Sequence, residues 1–396
     1  MKKDILFIMN SLNCGGAEKA LVSLLQVIDY NRYNVDLYLF KKEGMFIKDV
    51  PKEVTILQQP KNYSFFDMSI KKAIVQNLKK GNFKLIFYRM LAGFVYKIEK
   101  KPVVREQKAW KYLKKVIPSL SKKYVAAIGY LEKTPNYFCI DKVNAKIKIG
   151  FVHTDLEKLG IDFIKEQKYL TKLDHIITVS KELRDRLSLR LPFLSSKITF
   201  IENIVSKNKL IKLSNEPMSI SLDKNYFNIL YVGRLAKEKG LFFGLDAIEI
   251  LIKKEYKIKW LIIGEGNKKE ELEKASQDKG IRENIIFLGF KENPYPYMKE
   301  CDLFLLPSFY EGKSISLEEV KLLHKPIVVT NFSSAQDQIV DNKTGLISEF
   351  TPKSIADNIE RLFVSNDLRE SFIKNLSLNM DGTESEINKL YNILEN

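Results

Sequence analysis

Short apolar, β-branched runs alternate with longer stretches of helical character along this chain, and that alternation restricts its fold more than any other feature. Ile5 to Met9, Val35 to Phe40, Ile147 to Val152, Ile176 to Val179, Ile229 to Val232, Trp260 to Ile263, Ile285 to Leu288 and Leu303 to Leu306 read as strands. Near-continuous apolar runs separated by helices predict an α/β chain whose parallel sheets are covered on both faces. The 396 residues are long for one core and suit two domains of about 100–200 residues each. A Lys-, Asn- and Ser-rich stretch with Pro217, residues 206–225, is the expected linker between a domain at 1–205 and one at 226–370. A last helix is expected from Glu384 to Leu394, within a terminal segment 371–396.

The most informative local pattern is PSFYEGKSISLEEVKLLHKPIVVTN, residues 307–331, in which Glu311 and Glu319 stand eight positions apart. The stretch reads as a strand from Asp302 to Pro307, a loop from Glu311 to Ser314 and a helix from Ile315 to Leu323. Backbone N–H groups near Lys313 to Ser316 then sit at a positive helix terminus suited to a diphosphate. The two carboxylates flank that anion site and accept hydrogen bonds from hydroxyls beside it, as on a ribose and a sugar. Alone, two acids at this spacing are equally compatible with a surface loop and helix.

A second signal comes from YVGRLAKEKGLFFGLDAI, residues 231–248: a buried strand ending in Gly233, a loop carrying Arg234 and Lys239, then a helix. Cations at the carboxyl end of such a strand point into the crevice where α/β sheets bind ligands. Arginine forks onto phosphate oxygens and lysine supplies a point charge.

Together with ILFIMNSLNCGGAEKALVSLL (5–25), IGFVHTDL (149–156), IITVSKELRDRL (176–187), IENIV (201–205), LIIGEGNKKEEL (261–272) and FLGFKENPYPYMKECDLFLLPS (287–308), in this order, these stretches resemble the retaining glycosyltransferases of family 4, among the glycosyl transferases group 1. The resemblance extends over nearly the whole chain. It implies the GT-B fold, two Rossmann-like doubly wound domains facing across a cleft, with an acceptor-binding first domain and a nucleotide-sugar-binding second domain. It also implies that the final helix crosses back to the first domain. The implied donor is a nucleotide-diphosphate sugar, a UDP-sugar being the expected one.

At the matching positions the resemblance implies diphosphate binding by Arg234 and Lys239, ribose binding by Glu319, and contact of Glu311 with the donor sugar near its reacting carbon. Backbone amides of Lys313, Ser314 and Ile315, next to Gly312, and of the Gly15–Gly16 loop would complete the phosphate cradle. Phe290 and Lys291 match a loop against the base, and Gly264 and Gly266 the floor, beside Gly233. His153 matches a histidine over the sugar, so Glu311, His153, Arg234 and Lys239 form the expected catalytic set. Other readings of the same residues stay open: Gly15 and Gly16 as a tight turn with close helix–strand approach, and His153 as a satisfied core histidine. Ser180 reads as the cap of the helix beginning at Lys181.

Some positions depart from the family pattern. Val320 follows the second glutamate where a small residue is usual, and His324 and Lys325 replace the glycine before Pro326. Lys313 and Ser314 stand where an aromatic and a glycine are common, which touches the sugar pocket. Ile204 and Ser206 replace a glycine and an aspartate.

The resemblance suggests attack on the face the leaving group departs from, with electrostatic stabilisation of the departing diphosphate. No Asp-x-Asp motif is present, and Cys14, Cys139 and Cys301 lack metal-ligand spacing, so no metal cofactor is expected. The cysteines read as reduced thiols.

Charge is uneven. Residues 61–124 hold seventeen Lys or Arg against three Asp or Glu, a net +14 of the chain's +16. Ile70, Ile74 and Leu78 lie beside Lys71, Lys72, Lys79 and Lys80, while Trp110, Leu113, Val116 and Ile117 lie beside Lys108, Lys111, Lys114 and Lys115. A basic amphipathic helix of this kind suits an anionic membrane surface, with a solvated lysine-rich face as the alternative. No run of about 18 apolar residues spans a membrane, and the start, Lys2 to Asn10, reads as a core strand and not a signal peptide. The expectation is a cytoplasmic protein, peripheral on the inner face of the cell membrane. Its acceptor would be a lipid-linked glycan or glycolipid of bacterial surface polysaccharide synthesis. The alternatives are a polyanion or nucleic-acid binder, though no nucleic-acid module is recognised, and a GT-B phosphorylase or sugar-nucleotide epimerase.

Overall fold

A computed structural model describes residues 2–13, 15–60, 62–378 and 381–395. The chain forms two compact units, Met1–Glu202 with Glu386–Asn396, and Asn203–Ser385.

The first unit is built on seven strands: β1 (Lys3–Met9), β2 (Tyr33–Leu39), β3 (Val54–Ile56), β4 (Lys123–Gly129), β5 (Asn144–Val152), β6 (His175–Thr178) and β7 (Ile198–Phe200). They pair in parallel in the order β3-β2-β1-β4-β5-β6-β7. Leu6, Phe7, Ile8 and Met9 are fully buried, which explains why β1 is apolar on both faces: helices cover each side of the sheet. After β3 come the short helix Ser64–Asp67 and then three longer ones, Ile70–Leu78, Phe83–Ile98 and Pro102–Leu113, packed side by side. The helix Ile387–Glu395 belongs to this unit, where the Tyr391 ring stacks 5.6 Å from Tyr33 and the Asp29 N–H donates to the Tyr391 hydroxyl at 2.7 Å.

The second unit has six strands: β8 (Phe227–Val232), β9 (Ile258–Ile263), β10 (Ile285–Gly289), β11 (Leu303–Leu306), β12 (Ile327–Thr330) and β13 (Leu346–Ser348). Their parallel order is β10-β9-β8-β11-β12-β13. The order reverses between β8 and β11, so a crevice opens outside the carboxyl ends of those two strands. The corresponding reversal in the first unit lies between β1 and β4.

The boundaries differ from the compositional reading. Residues 206–225 contain the helix Lys207–Ser214, whose Leu210 is buried, and lie inside the second unit. The helix Asn366–Leu378 also belongs there, with Phe372 in the core, so the change of unit falls at Glu386.

The basic segment differs more. In the helix Pro102–Leu113 the residues Trp110 and Leu113 face the core with Val116 and Ile117 beyond it, against Phe40, Tyr38 and Phe138. Trp110 Nε1 donates to Asp141 Oδ2 at 2.9 Å. Lys108 pairs with Glu99 at 2.6 Å and Lys114 with Asp141 at 3.1 Å, while Lys111 and Lys115 are exposed. In this second part of the basic segment the apolar side expected to meet a membrane packs inside the unit, with Lys111 and Lys115 left exposed, whereas Ile70 and Leu78 of the first part are 38 and 52% exposed beside exposed lysines. Among the described residues, no helix is long and apolar enough to cross a membrane. Cys139 and Cys301 are buried free thiols, and burial pushes each up to about 12; Cys14 lies outside the described residues.

Candidate functional site

The loops after β8 and β11 flank the switch point of the second unit, and three contacts lock them together. Gly240, at φ +63°, approaches Pro307 so closely that a Cβ would meet its carbonyl oxygen at 1.9 Å. The Phe309 N–H donates to the Glu238 carbonyl at 2.9 Å. Lys239 Nζ donates to both carboxylate oxygens of Glu311, at 2.7 and 2.9 Å. Both side chains of this pair are largely buried, so the charges meet with little screening.

Ser308 Oγ also donates to Glu311 Oε1 at 2.7 Å, and Ser334 Oγ to the Glu311 carbonyl at 3.1 Å. The Glu311 carboxylate is thus held by two side chains before any ligand binds. Arg234 is more than half exposed at the tip of the β8 loop, with Glu238 Oε1 3.3 Å from one terminal guanidinium nitrogen. Most of its five N–H donors remain available.

The helix Ile315–Leu322 begins beside this pair, as the sequence pattern expects. Ser314 is its cap: its Oγ accepts from the Leu317 N–H at 3.3 Å. The Ser314 N–H, expected to be a free phosphate donor, is instead bonded to Gln338 Oε1 at 3.1 Å. The Lys313 side chain turns inward, 3.8 Å from the buried Glu318, which also pairs with Lys321 and accepts from Gln338. These cations hold the Glu318 carboxyl below its ordinary range against the opposing effect of burial. Free N–H donors of the first turn therefore begin at Ile315. Glu319 is buried one turn in, and Tyr295 donates its hydroxyl to Glu319 Oε1 at 2.9 Å.

Gly264, at φ +143°, lets the loop after β9 pass against Gly233, whose carbonyl oxygen a Cβ would meet at 1.9 Å. Gly266 approaches the Leu235 backbone in the same way. Phe290 and Lys291 follow β10 at the same end of the sheet, and Lys291 Nζ donates to Ser219 Oγ at 3.0 Å. The structure thus gathers Gly233, Arg234, Lys239, Gly264, Phe290, Glu311, Gly312, Ser314, Ile315 and Glu319 at the carboxyl ends of β8 to β11 and the helix that follows. Ser308, Tyr295 and Gln338 are the supporting residues that the sequence did not point out; only the position of Ser308, just past a strand, carried a signal.

Gly15, Gly16 and His153 lie in the first unit. Gly15 caps the helix Gly16–Leu25 in an extended conformation, and a Cβ at Gly16 would meet nothing within 4 Å. Neither a left-handed turn nor close helix–strand contact therefore explains Gly16. His153 follows β5; its N–H donates to Glu132 Oε2 at 3.1 Å, and its ring lies against Tyr130 and Phe151. Burial lowers the imidazole to about 3, so it is neutral near pH 7, and its Nε2 has no hydrogen-bond partner. Burial likewise raises the Glu132 carboxyl.

The first unit also contains a pocket of about 330 Å³ at the carboxyl ends of β1 and β2. Asn10, Lys41, Glu106, Tyr63, Tyr96 and Trp110 are among its lining residues, and Asn10 Oδ1 has no hydrogen-bond partner. Amide, carboxylate and aromatic groups in one pocket suit a ligand with both hydroxyls and apolar ring faces.

Residues 214–377 match the family model for glycosyl transferases group 1. The poly(ribitol-phosphate) alpha-N-acetylglucosaminyltransferase of Staphylococcus aureus is 27% identical over 300 residues, covering 71% of this chain and 57% of the relative. The N-acetylgalactosamine-N,N'-diacetylbacillosaminyl-diphospho-undecaprenol 4-alpha-N-acetylgalactosaminyltransferase of Campylobacter jejuni is 28% identical over 203 residues, covering 51% of this chain and 54% of the relative. This chain spans about half the length of the curated relatives it matches. Among solved structures, Anabaena HepE in complex with UDP and glucose aligns with a TM-score of 0.70 at 15% identity over 99% of each chain. A Staphylococcus aureus TarM mutant in complex with fondaparinux, alpha-GlcNAc-glycerol and UDP aligns with a TM-score of 0.69 at 16% identity over 100% of each chain. At these identities the likeness establishes the fold, which is GT-B: two Rossmann-like parallel-sheet domains with seven and six strands.

Proposed function

We propose that this chain, whose family match and structural neighbours support membership of the group 1 glycosyltransferases, transfers a sugar with retention from a nucleotide-diphosphate sugar to a lipid-linked glycan or glycolipid. The observation that carries the reading is the Lys239–Glu311 pair beside the start of the helix Ile315–Leu322, at the switch point of the second sheet. A lysine ammonium has three donors, and two are spent on Glu311. In this reading the third, the Arg234 guanidinium and the N–H groups of Ile315 and Ser316 bind a diphosphate, the Leu317 N–H being taken by Ser314.

In this reading negative charge grows on the diphosphate as the glycosidic bond breaks, and these fixed positive groups stabilise it without a metal ion. Glu311, held by Ser308 and Lys239, orients the sugar hydroxyls near the reacting carbon. Glu319, held by Tyr295, accepts from the ribose hydroxyls. The acceptor hydroxyl attacks on the face the diphosphate leaves, and the departing phosphate takes its proton. His153, neutral with Nε2 unpartnered, supplies a hydrogen-bonding group to a sugar hydroxyl. The pocket of the first unit receives the glycan of the acceptor. Relatives named for sugar transfer to poly(ribitol-phosphate), for capsular polysaccharide biosynthesis and for transfer to a diphospho-undecaprenol glycan support a role in bacterial surface polysaccharide assembly.

The test is the thermal shift of wild type and Arg234→Ala with uridine, guanosine, adenosine and cytidine diphosphates and their sugars, with and without EDTA. Stabilisation by one nucleotide series, lost in the variant and indifferent to EDTA, is expected. No shift with any nucleotide overturns the donor site.

A further inference from the structure

The helix Phe83–Ile98 has an outer face that stays exposed among the described residues. Phe83, Phe87, Met90, Phe94 and Ile98 are 67, 58, 54, 64 and 60% exposed, and their spacing puts them on one stripe. The helix is about 24 Å long, at 1.5 Å per residue, so the stripe runs its whole length. A surface helix normally turns charged residues outward. This one does the reverse, burying Arg89 instead.

Arg89 fixes the orientation. Its Nε and one terminal nitrogen donate to the carbonyls of Phe65 and Met68, each at 2.8 Å. Gly93 lies so close to Ile70 that a Cβ would meet Ile70 Cδ1 at 2.5 Å, pinning the helix against Ile70–Leu78. The stripe is therefore held outward by packing on the opposite side. The neighbouring helix adds Val75 and Leu78, 54 and 52% exposed.

The charges around the stripe decide what covers it. Lys71, Lys72, Lys79, Lys80, Lys84 and Lys97 are all exposed, and neither helix contains an Asp or Glu. An apolar stripe on helices whose charged residues are all cations is mismatched to a like copy of itself, whose lysines would repel, and matched to an anionic lipid surface.

We propose that the outer face of the helix Phe83–Ile98, with the lysines of Ile70–Leu78, seats this chain on an anionic lipid leaflet. This face differs from that of the helix Pro102–Leu113, whose apolar side is spent on the core, and takes in the lysines of Ile70–Leu78 that the sequence also pointed to. The proposal rests on the reading of a lipid-linked acceptor and deepens it. The same helix lines the pocket of the first unit through Tyr96, so a seated helix brings that pocket to the level of the lipid headgroups.

The test is co-sedimentation of the full chain with vesicles of phosphatidylglycerol and phosphatidylcholine, compared with phosphatidylcholine alone. Wild type is expected to pellet with the anionic vesicles, and Phe87→Ser with Phe94→Ser to lower the partition coefficient about tenfold or more. Lys111→Gln with Lys115→Gln is expected to change it less than about twofold. Equal pelleting of wild type and the Phe variant overturns the proposal. So does a wild type that stays in solution, or one whose size-exclusion mass is a dimer that the Phe variant dissociates. The nucleotide-induced thermal shift is read on the same two proteins. Its retention with loss of pelleting assigns the effect to the lipid face, and its absence from both counts against the donor site alone.

Discussion

Lys239 and Glu311, seventy-two positions apart, form a two-point ion pair in which one ammonium contacts both oxygens of one carboxylate. Sequence reading gives them separate duties, one on the diphosphate and one on the sugar. The pair makes the two duties interdependent, because each group is oriented by the other. Lys239→Ala is expected to weaken nucleoside-diphosphate binding by about 10- to 100-fold, the loss of one or two hydrogen bonds to a charged group. Glu311→Gln keeps the Ser308 contact and frees the ammonium, so it should preserve or tighten diphosphate binding while lowering kcat. Calorimetric titration with the diphosphate beside turnover measurements separates the two. Loss of diphosphate binding in Glu311→Gln with normal binding in Lys239→Ala would invert the assignment.

Arg234 differs from Lys239 in being exposed and lightly held. Its removal costs little folded structure, and Arg234→Ala is expected to shift unfolding free energy by less than about 0.5 kcal/mol. The same substitution should still abolish most of the nucleotide-induced thermal shift. Arg234→Lys should restore it only in part, since a point charge does not replace a planar fork on phosphate oxygens. A large drop in the ligand-free melting temperature would mean that Arg234 holds the loop and not the ligand.

Much of this was legible in the sequence, for identifiable reasons. Strands such as Ile229–Val232 and Leu303–Leu306 are unbroken apolar runs, and both lie within observed strands. The three-residue edge strands Val54–Ile56 and Ile198–Phe200 are too short to carry a pattern. Strand Lys123–Gly129 is rich in Ala and Gly, which signal strands poorly. The loops of the site were visible because Gly233, Arg234, Lys239 and Glu311 are close in sequence to strand ends. Gln338 was not, because its bond to the Ser314 N–H joins residues twenty-four apart on different elements. The Trp110–Ile117 part of the basic segment was misread for a related reason. Helical periodicity shows that Trp110, Leu113 and Ile117 share an apolar face, but not whether protein or solvent lies against it.

That misreading has a measurable counterpart. Trp110 is fully buried with its Nε1–H bonded to Asp141, so Trp110→Ala is expected to destabilise the first unit by about 3–5 kcal/mol. Lys111→Gln and Lys115→Gln, at exposed positions of the same segment, should each stay within about 0.5 kcal/mol of wild type. Denaturant unfolding measures all three. A Trp110 variant as stable as wild type would return that residue to the surface.

Glu166 gives the first unit an unusual pH response. It is fully buried; Tyr137 donates its hydroxyl to Oε2 and Gln107 Nε2 does so at 2.8 Å, while Oε1 has no partner. Burial raises its carboxyl from the ordinary 4.5 to about 7, against the lowering effect of those two donors and with Glu132 and Lys133 acting in opposite directions. Between these values the folded chain keeps a proton that the unfolded chain has released. Stability from this group is therefore complete below about pH 4.5, falls by about 1.4 kcal/mol per pH unit as pH rises to about 7, and is flat above. Glu166→Gln has no proton to lose and cannot show this slope. Relative to wild type, the variant should gain up to about 3 kcal/mol between pH 5 and pH 8. Trp110 and Trp260 are the two tryptophans of the chain. Fluorescence-detected denaturation in a Trp260→Phe background therefore reports on the first unit. A constant difference between Glu166→Gln and wild type across that range would show that Glu166 is ionised in the folded chain.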